Sequence, residues 1–136
     1  MKKFFLLSLF VSMALTALNA QEAKTKEAPK DGPKITFNEK VHQYGVIQKG
    51  GDGNCEFVFT NEGNEPLILS NVRASCGCTT PTWTKEPVMP GKSGIIKVRY
   101  NTNSIGNFSK TVTVQSNAVN EPRITLTIKG EVKDNK

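Results

Sequence analysis

Three cysteines and a single histidine carry most of the nucleophilic and soft metal-binding chemistry in this 136-residue sequence. Two of the thiols stand together in Ser75-Cys76-Gly77-Cys78-Thr79-Thr80-Pro81-Thr82-Trp83, a run that also holds the one tryptophan. In an extended strand Cys76 and Cys78 would point the same way with Cα atoms ~6.6–6.8 Å apart, the outer limit for a disulfide. Gly77 can adopt backbone angles closed to other residues, and a turn there would bring the sulfurs together. A tight pair of that kind is more readily reduced, which opens a redox role. The same two thiolates suit a soft ion, Cu(I) or Zn(II). A structural zinc site usually needs four ligands, so Cys55 and His42 would have to join Cys76 and Cys78. The structural reading is a staple or buried thiols: a bridge from Cys55 to Cys76 or Cys78 would close a loop of about 20 residues, worth roughly 3 kcal/mol by chain entropy. With an odd count one thiol is left over, and the three pairings among Cys55, Cys76 and Cys78 stay open.

Other chemistry is thin. A cysteine nucleophile needs a base, and no spacing links His42 to either paired thiol. Ser75 and Ser116 lack a nucleophile-elbow context, and the glycine cluster at 50–53 joins two apolar runs instead of opening a helix around a phosphate. We expect no enzyme, and no cofactor beyond Cu(I) or Zn at Cys76 and Cys78. Trp83 has two readings: a partner anchor if exposed, since tryptophan is enriched at interface hot spots, or a core residue if packed inward.

The segments that must position these residues alternate with a period of two. Ile35 and Phe37 open the series, then Tyr44-Gly45-Val46-Ile47. Cys55, Phe57 and Phe59 share one face while Glu56, Val58 and Thr60 share the other, which makes Cys55 core-facing. Residues 61–66 read as a turn, and Leu67 to Val72 is apolar on both faces, as a strand covered twice would be. The prolines of 86–91 exclude a central strand there. Ile96, Val98 and Tyr100 alternate next, then Phe108, Val112 and Val114 interrupted by Lys110, and finally Ile124, Leu126, Ile128 and Val132. About seven strands with regular turn signals predict an all-β, immunoglobulin-like antiparallel β-sandwich over residues 34–132. The Cys, Trp, Cys order of antibody domains is absent, because Trp83 follows all three cysteines.

Outside the domain, Lys2 and Lys3 precede an apolar stretch from Phe4 to Leu18 and a small-residue site at Asn19-Ala20, the pattern of a signal peptide over residues 1–20. No cysteine follows it for a lipid anchor, and no later segment could span a bilayer. Residues 21–33, rich in Lys, Glu, Ala and Pro, read as a disordered tether, and 133–136 as a polar tail. Cleavage would remove two lysines and lower the formal charge from +6 to +4. No basic stripe interleaved with aromatics appears, so nucleic acid is not an expected partner. The expected location is the periplasm or the exterior, where the compartment is oxidising.

The succession Tyr44-Gly45-Val46-Ile47, Phe57-Val58-Phe59-Thr60-Asn61-Glu62-Gly63, Glu65-Pro66-Leu67, Ser75-Cys76-Gly77-Cys78-Thr79 and Pro90-Gly91-Lys92-Ser93-Gly94 resembles an exported bacterial family, domain of unknown function 1573. Gly106-Asn107-Phe108, Val114-Gln115-Ser116-Asn117 and Ile128-Lys129-Gly130-Glu131-Val132 fit it too. Cys55 lies outside the pattern, and Gln43 stands where the family often has an acid. The resemblance implies an immunoglobulin-like sandwich, similar to sperm-protein-like and cilium-associated modules, and brings no activity. The leading expectation is a non-enzymatic module that engages a protein partner through strand edges or end loops. The alternative is a metal-binding or redox-active thiol site at Cys76 and Cys78.

Overall fold

The alternation of apolar and polar side chains is realised as eight strands in a computed structural model that describes residues 31–136. They are β1 (Ile35–Phe37), β2 (Val41–Gln48), β3 (Asn54–Asn61), β4 (Leu69–Ala74), β5 (Thr79–Trp83), β6 (Ser93–Tyr100), β7 (Gly106–Ser116) and β8 (Arg123–Lys133). Two four-stranded sheets form, one in the order β1-β3-β6-β5 and the other β2-β8-β7-β4. The fold is the expected all-β sandwich with one more strand than the seven expected. The signal peptide expected over 1–20 and most of the tether expected over 21–33 lie outside the described residues. Of the tether's last residues, Gly32 and Pro33 are buried and pinned: the Gly32 amide donates to Asn64 Oδ1 at 2.7 Å and the Pro33 carbonyl accepts from the Val119 amide at 2.8 Å.

Inner faces are supplied by the residues whose spacing marked them. Phe57, Phe59, Ile96 and Val98 of the first sheet and Val112, Leu126, Ile128 and Val132 of the second are all fully buried. Near one end of the sandwich, aromatic rings join the two layers. Tyr100 of β6 stacks on Phe108 of β7, with centroids 3.8 Å apart and an interplanar angle of 15°. At the other end Asn61, 0% exposed, ties several segments together. Its amide donates to the carbonyls of Glu65 (2.7 Å) and Val88 (2.9 Å), and its Oδ1 accepts from the amides of Lys34 (3.3 Å) and Gly63 (2.9 Å).

Three features differ from the sequence expectation. The sandwich is not wholly antiparallel: β2 runs parallel to β8, with a register shift between Gln43 and Gly45. This follows from β2 and β8 being consecutive neighbours in the sheet but far apart in the chain, so no hairpin constrains their direction. Leu67 to Val72 is not covered on both sides. Leu67, Leu69 and Val72 are buried while Ile68 is 42% exposed, because the strand begins only at Leu69 and Ile68 belongs to the preceding loop, where both its backbone groups bond Asn117. Finally, the cysteine segment leads straight into a strand. Pro81 is tolerated inside β5 because β5 is the outermost strand of its sheet, where one side of the backbone needs no ladder partner.

Candidate functional site

The four residues 75–78 join β4, the outer strand of one sheet, to β5, the outer strand of the other. The connection crosses from layer to layer at the edge of the sandwich. Hydrogen bonds from both sheets fix it. The Ser75 amide donates to the Thr111 carbonyl at 2.9 Å, and the Thr111 amide donates to Ser75 Oγ at 3.2 Å. On the other side, the Asn101 amide donates to the Cys78 carbonyl at 2.8 Å. Within this frame the chain turns enough to bring the Cα atoms of Cys76 and Cys78 to 5.3 Å, and the two are joined as a disulfide.

The cross-sandwich bridge from Cys55 does not form; Cys55 is a free, buried cysteine. Its register explains why. Cys55 on β3 faces Val98 of β6, and Val98 in turn faces Pro81 of β5, so two interstrand steps, ~9–10 Å, separate Cys55 from β5, and the paired cysteines lie further along still, before β5 begins. A disulfide needs Cα atoms within roughly 7 Å. His42 does not approach the pair either: its ring sits edge-on against Tyr44, centroids 4.6 Å apart, and against Phe57 at 6.4 Å. Among the described residues no three His, Cys, Asp or Glu side chains gather as a metal site, so the four-ligand arrangement considered for Cys76, Cys78, Cys55 and His42 is not assembled. Burial pushes the Cys55 thiol up, opposed by a hydrogen bond with Tyr44. Burial, and then Cys55, hold the Tyr44 phenol far above its ordinary range.

Gly77 is exposed, and a Cβ built on it would meet nothing within 4 Å. Nor does it take a left-handed backbone, which is confined to other glycines. Its absent side chain therefore serves neither fit nor turn; Cys76 and Cys78 on either side of it are each half-buried, Cys78 against the core. Thr79, 3% exposed, lies beneath, with Oγ1 3.7 Å from the sulfur of Cys76 and 3.7 Å from that of Cys78.

Beside the turn opens a cleft of about 490 Å³, lined by Gly77, Cys78 and Thr80, by the glycine loop 50–54 and by residues 99–103. The loops hold each other tightly: Thr102 Oγ1 donates to the Gly51 carbonyl at 2.8 Å, and the Gly53 carbonyl accepts from the Tyr44 hydroxyl and the Tyr100 amide, each at 2.8 Å. A Cβ on Gly53 would run into the Tyr100 carbonyl, which is why a glycine stands there. Asp52 and Arg99 are the charged residues that line the cleft among the described residues. Asp52 is engaged by Asn54, whose amide and side-chain nitrogen both donate to Oδ1 at 2.8 and 2.7 Å. Arg99, exposed between Asn54 and Thr80 in register, has no ion-pair partner among the described residues.

Trp83 lies at the far end of β5. It is half-buried against the core, with Lys85 Nζ 4.8 Å from its ring centroid, so one indole face packs inward while the ring also carries a cation. Sequence reasoning found the thiol pair and missed the cleft, Thr79 and Arg99. Thr79 follows Cys78 directly, but nothing in its spacing marks it as buried under both sulfurs.

The family described as Protein of unknown function (DUF1573) matches residues 35–132. The chain belongs to that family. No curated protein sequence matches it. Among solved structures, the fold is similar to a protein of unknown function from Porphyromonas gingivalis W83, with TM-score 0.66 and 15% identity over 76% of this chain and 49% of that one. The chain thus spans about half the length of that protein. It is also similar to the ASH / PapD-like domain 7 of human CEP192, with TM-score 0.64 and 9% identity over 80% of this chain and 94% of that one. A third is the CsuC–CsuE chaperone–tip adhesion subunit pre-assembly complex of Acinetobacter baumannii, with TM-score 0.56 and 10% identity over 74% and 57%. Likenesses at these identities establish an immunoglobulin-like, PapD-like fold for this DUF1573 domain and carry no activity with them.

Proposed function

We propose that this DUF1573 protein is an exported, non-enzymatic protein-binding module of the cell envelope, which takes an extended segment of its partner onto the free edge of β2. The observation that carries this reading is the character of that edge. β2 is eight residues long, bonds only β8 among the described residues, and exposes Val41 at 42% and Val46 at 56%. An unpaired strand edge offers backbone donors and acceptors to an incoming strand, and alternate side chains supply specificity. The other outer strands are poorer platforms: β1 has three residues, β5 is interrupted by Pro81, and β4 carries no exposed large hydrophobic residue. The shift between Gln43 and Gly45 divides the β2 edge, leaving 45–48 as an unbroken stretch around Val46.

Export is supported by the residue pattern of 1–20. A binding role is supported by the similar fold of a chaperone found with a tip adhesion subunit in the Csu complex. The test places a photo-crosslinking residue at position 46 and, as control, at position 70 on the β4 edge, in cells that produce the protein. Crosslinks to another protein from position 46 in excess of those from 70, abolished for a probe at 41 by Val46→Pro with thermal unfolding unchanged, are the expected result. Equal labelling from both edges would sink the β2 assignment, and recovery of an unprocessed chain from the cytoplasm would sink export.

A further inference from the structure

We propose that Cys76–Cys78 is a thiol–disulfide exchange site opening on the cleft, with the dithiol or disulfide of a partner protein as its substrate. The proposal is independent of the β2 edge. It rests on how the turn is held and on what surrounds the sulfurs.

The turn does not depend on its disulfide. The Ser75–Thr111 pair and the Asn101–Cys78 bond fix the backbone on both sides, so reduction leaves the sulfurs in place and ready to re-form the bond. Access is lateral: Cys76 and Cys78 are each half-buried, and Gly77 and Cys78 form part of the wall of the cleft of about 490 Å³. Thiolates are the species that attack and leave in exchange, and the site supplies groups that favour them. Thr79 Oγ1 lies 3.7 Å from each sulfur and can donate to whichever carries the charge. Arg99 adds a cation without an ion-pair partner among the described residues to the same cleft, opposite in charge to Asp52, whose carboxylate is engaged by Asn54. The third cysteine is kept out, since Cys55 is buried in the core.

In the forward step a partner thiolate coming through the cleft attacks Cys78 Sγ. A bond forms between the partner sulfur and Cys78 as the Cys76–Cys78 bond breaks, and the electron pair leaves on Cys76 Sγ, stabilised by the Thr79 hydroxyl and then protonated from water. The partner's second thiolate next attacks the partner sulfur of the mixed disulfide and releases Cys78. The partner dithiol has lost two electrons and two protons, and Cys76 and Cys78 have gained them as thiols. The reverse sequence reduces a partner disulfide.

The mature protein is equilibrated in buffers of reduced and oxidised glutathione, quenched by alkylation and mapped by mass spectrometry, with thermal unfolding followed in parallel. The expected result is a reversible two-electron transition of Cys76 and Cys78 in the folded protein, with Cys55 unmodified. In a Cys76→Ser variant, oxidised glutathione should form an adduct at Cys78 and none at Cys55. Gly77→Val, which sets a branched side chain between the two half-buried cysteines, should slow reduction by roughly tenfold at an unchanged unfolding temperature. Reduction that occurs only in denaturant overturns the proposal, as does a Cys78 adduct forming no faster than one at Cys55. Equal reduction rates for wild type and Gly77→Val would also overturn it, and Val46→Pro should leave every one of these readings unchanged.

Discussion

At Asn61 one side chain satisfies backbone groups from the start of β1, the 61–66 turn and the loop that carries Val88. The sequence marks this residue as turn-forming by composition, but not as a buried hub, because its partners lie up to 27 positions away. Truncation strands several buried donors and acceptors at once, each costing about 1–3 kcal/mol. We expect Asn61→Ala to destabilise by roughly 3 kcal/mol or more, read as a shift in urea midpoint at constant slope. Two glycines that look alike in sequence separate on the same measurement. Gly53→Ala drives a methyl group into the Tyr100 carbonyl and should cost about 2 kcal/mol or more, because backbone there cannot give way. Gly77→Ala meets open space and should fall within about 0.5 kcal/mol of wild type.

Among the elements, β3, β6 and β8 were legible because alternation over eight to eleven residues has one physical meaning, an inward face and an outward one. Ile68 was misread because composition cannot tell a buried strand residue from an exposed loop residue when the neighbours are apolar too. The parallel pairing of β2 with β8 was not legible, since register between distant strands depends on contacts that no local pattern records. Nor was the cysteine pairing: alternation correctly placed Cys55 on a core face, yet the deciding quantity was the number of strands lying between it and the turn. The pairing that results spans two positions. In the chain-entropy estimate so short a loop is worth about 1.5 kcal/mol, half of what a Cys55 bridge would give. The double variant Cys76→Ser, Cys78→Ser should therefore lose about 1.5 kcal/mol or less and keep its circular dichroism spectrum. A loss of several kcal/mol would mark the pair as a staple.

For the molecule as a whole, the half-buried Tyr44 and the buried Cys55 set an alkaline limit. Both groups hold their protons more tightly when folded, mainly through burial, whereas the unfolded chain releases them near 9.0 for the thiol and 10.0 for the phenol. A raised folded value means stability that is full below the unfolded pKa and lost as pH climbs past it. Stability should be level from pH 7 to about 8.5 and then fall by about 1 kcal/mol per pH unit, less steeply in Cys55→Ala. Chemical denaturation at a series of pH values checks the sign, and a rise in stability above pH 9 would contradict it.

The pairing of β2 with β8 also bears on when the protein can fold. Among the described residues β2 has no partner except β8, and the backbone of Ile35 is held by Asn120 from 85 positions away. A ribosome that has delivered only the first two thirds of the domain has delivered a sheet whose first strand has nothing to bind. Contacts so distant in sequence close slowly, on the millisecond to second scale. β2 therefore takes its place only once β8, the last strand, has been made, whereas β1, β3, β5 and β6 complete their sheet without it.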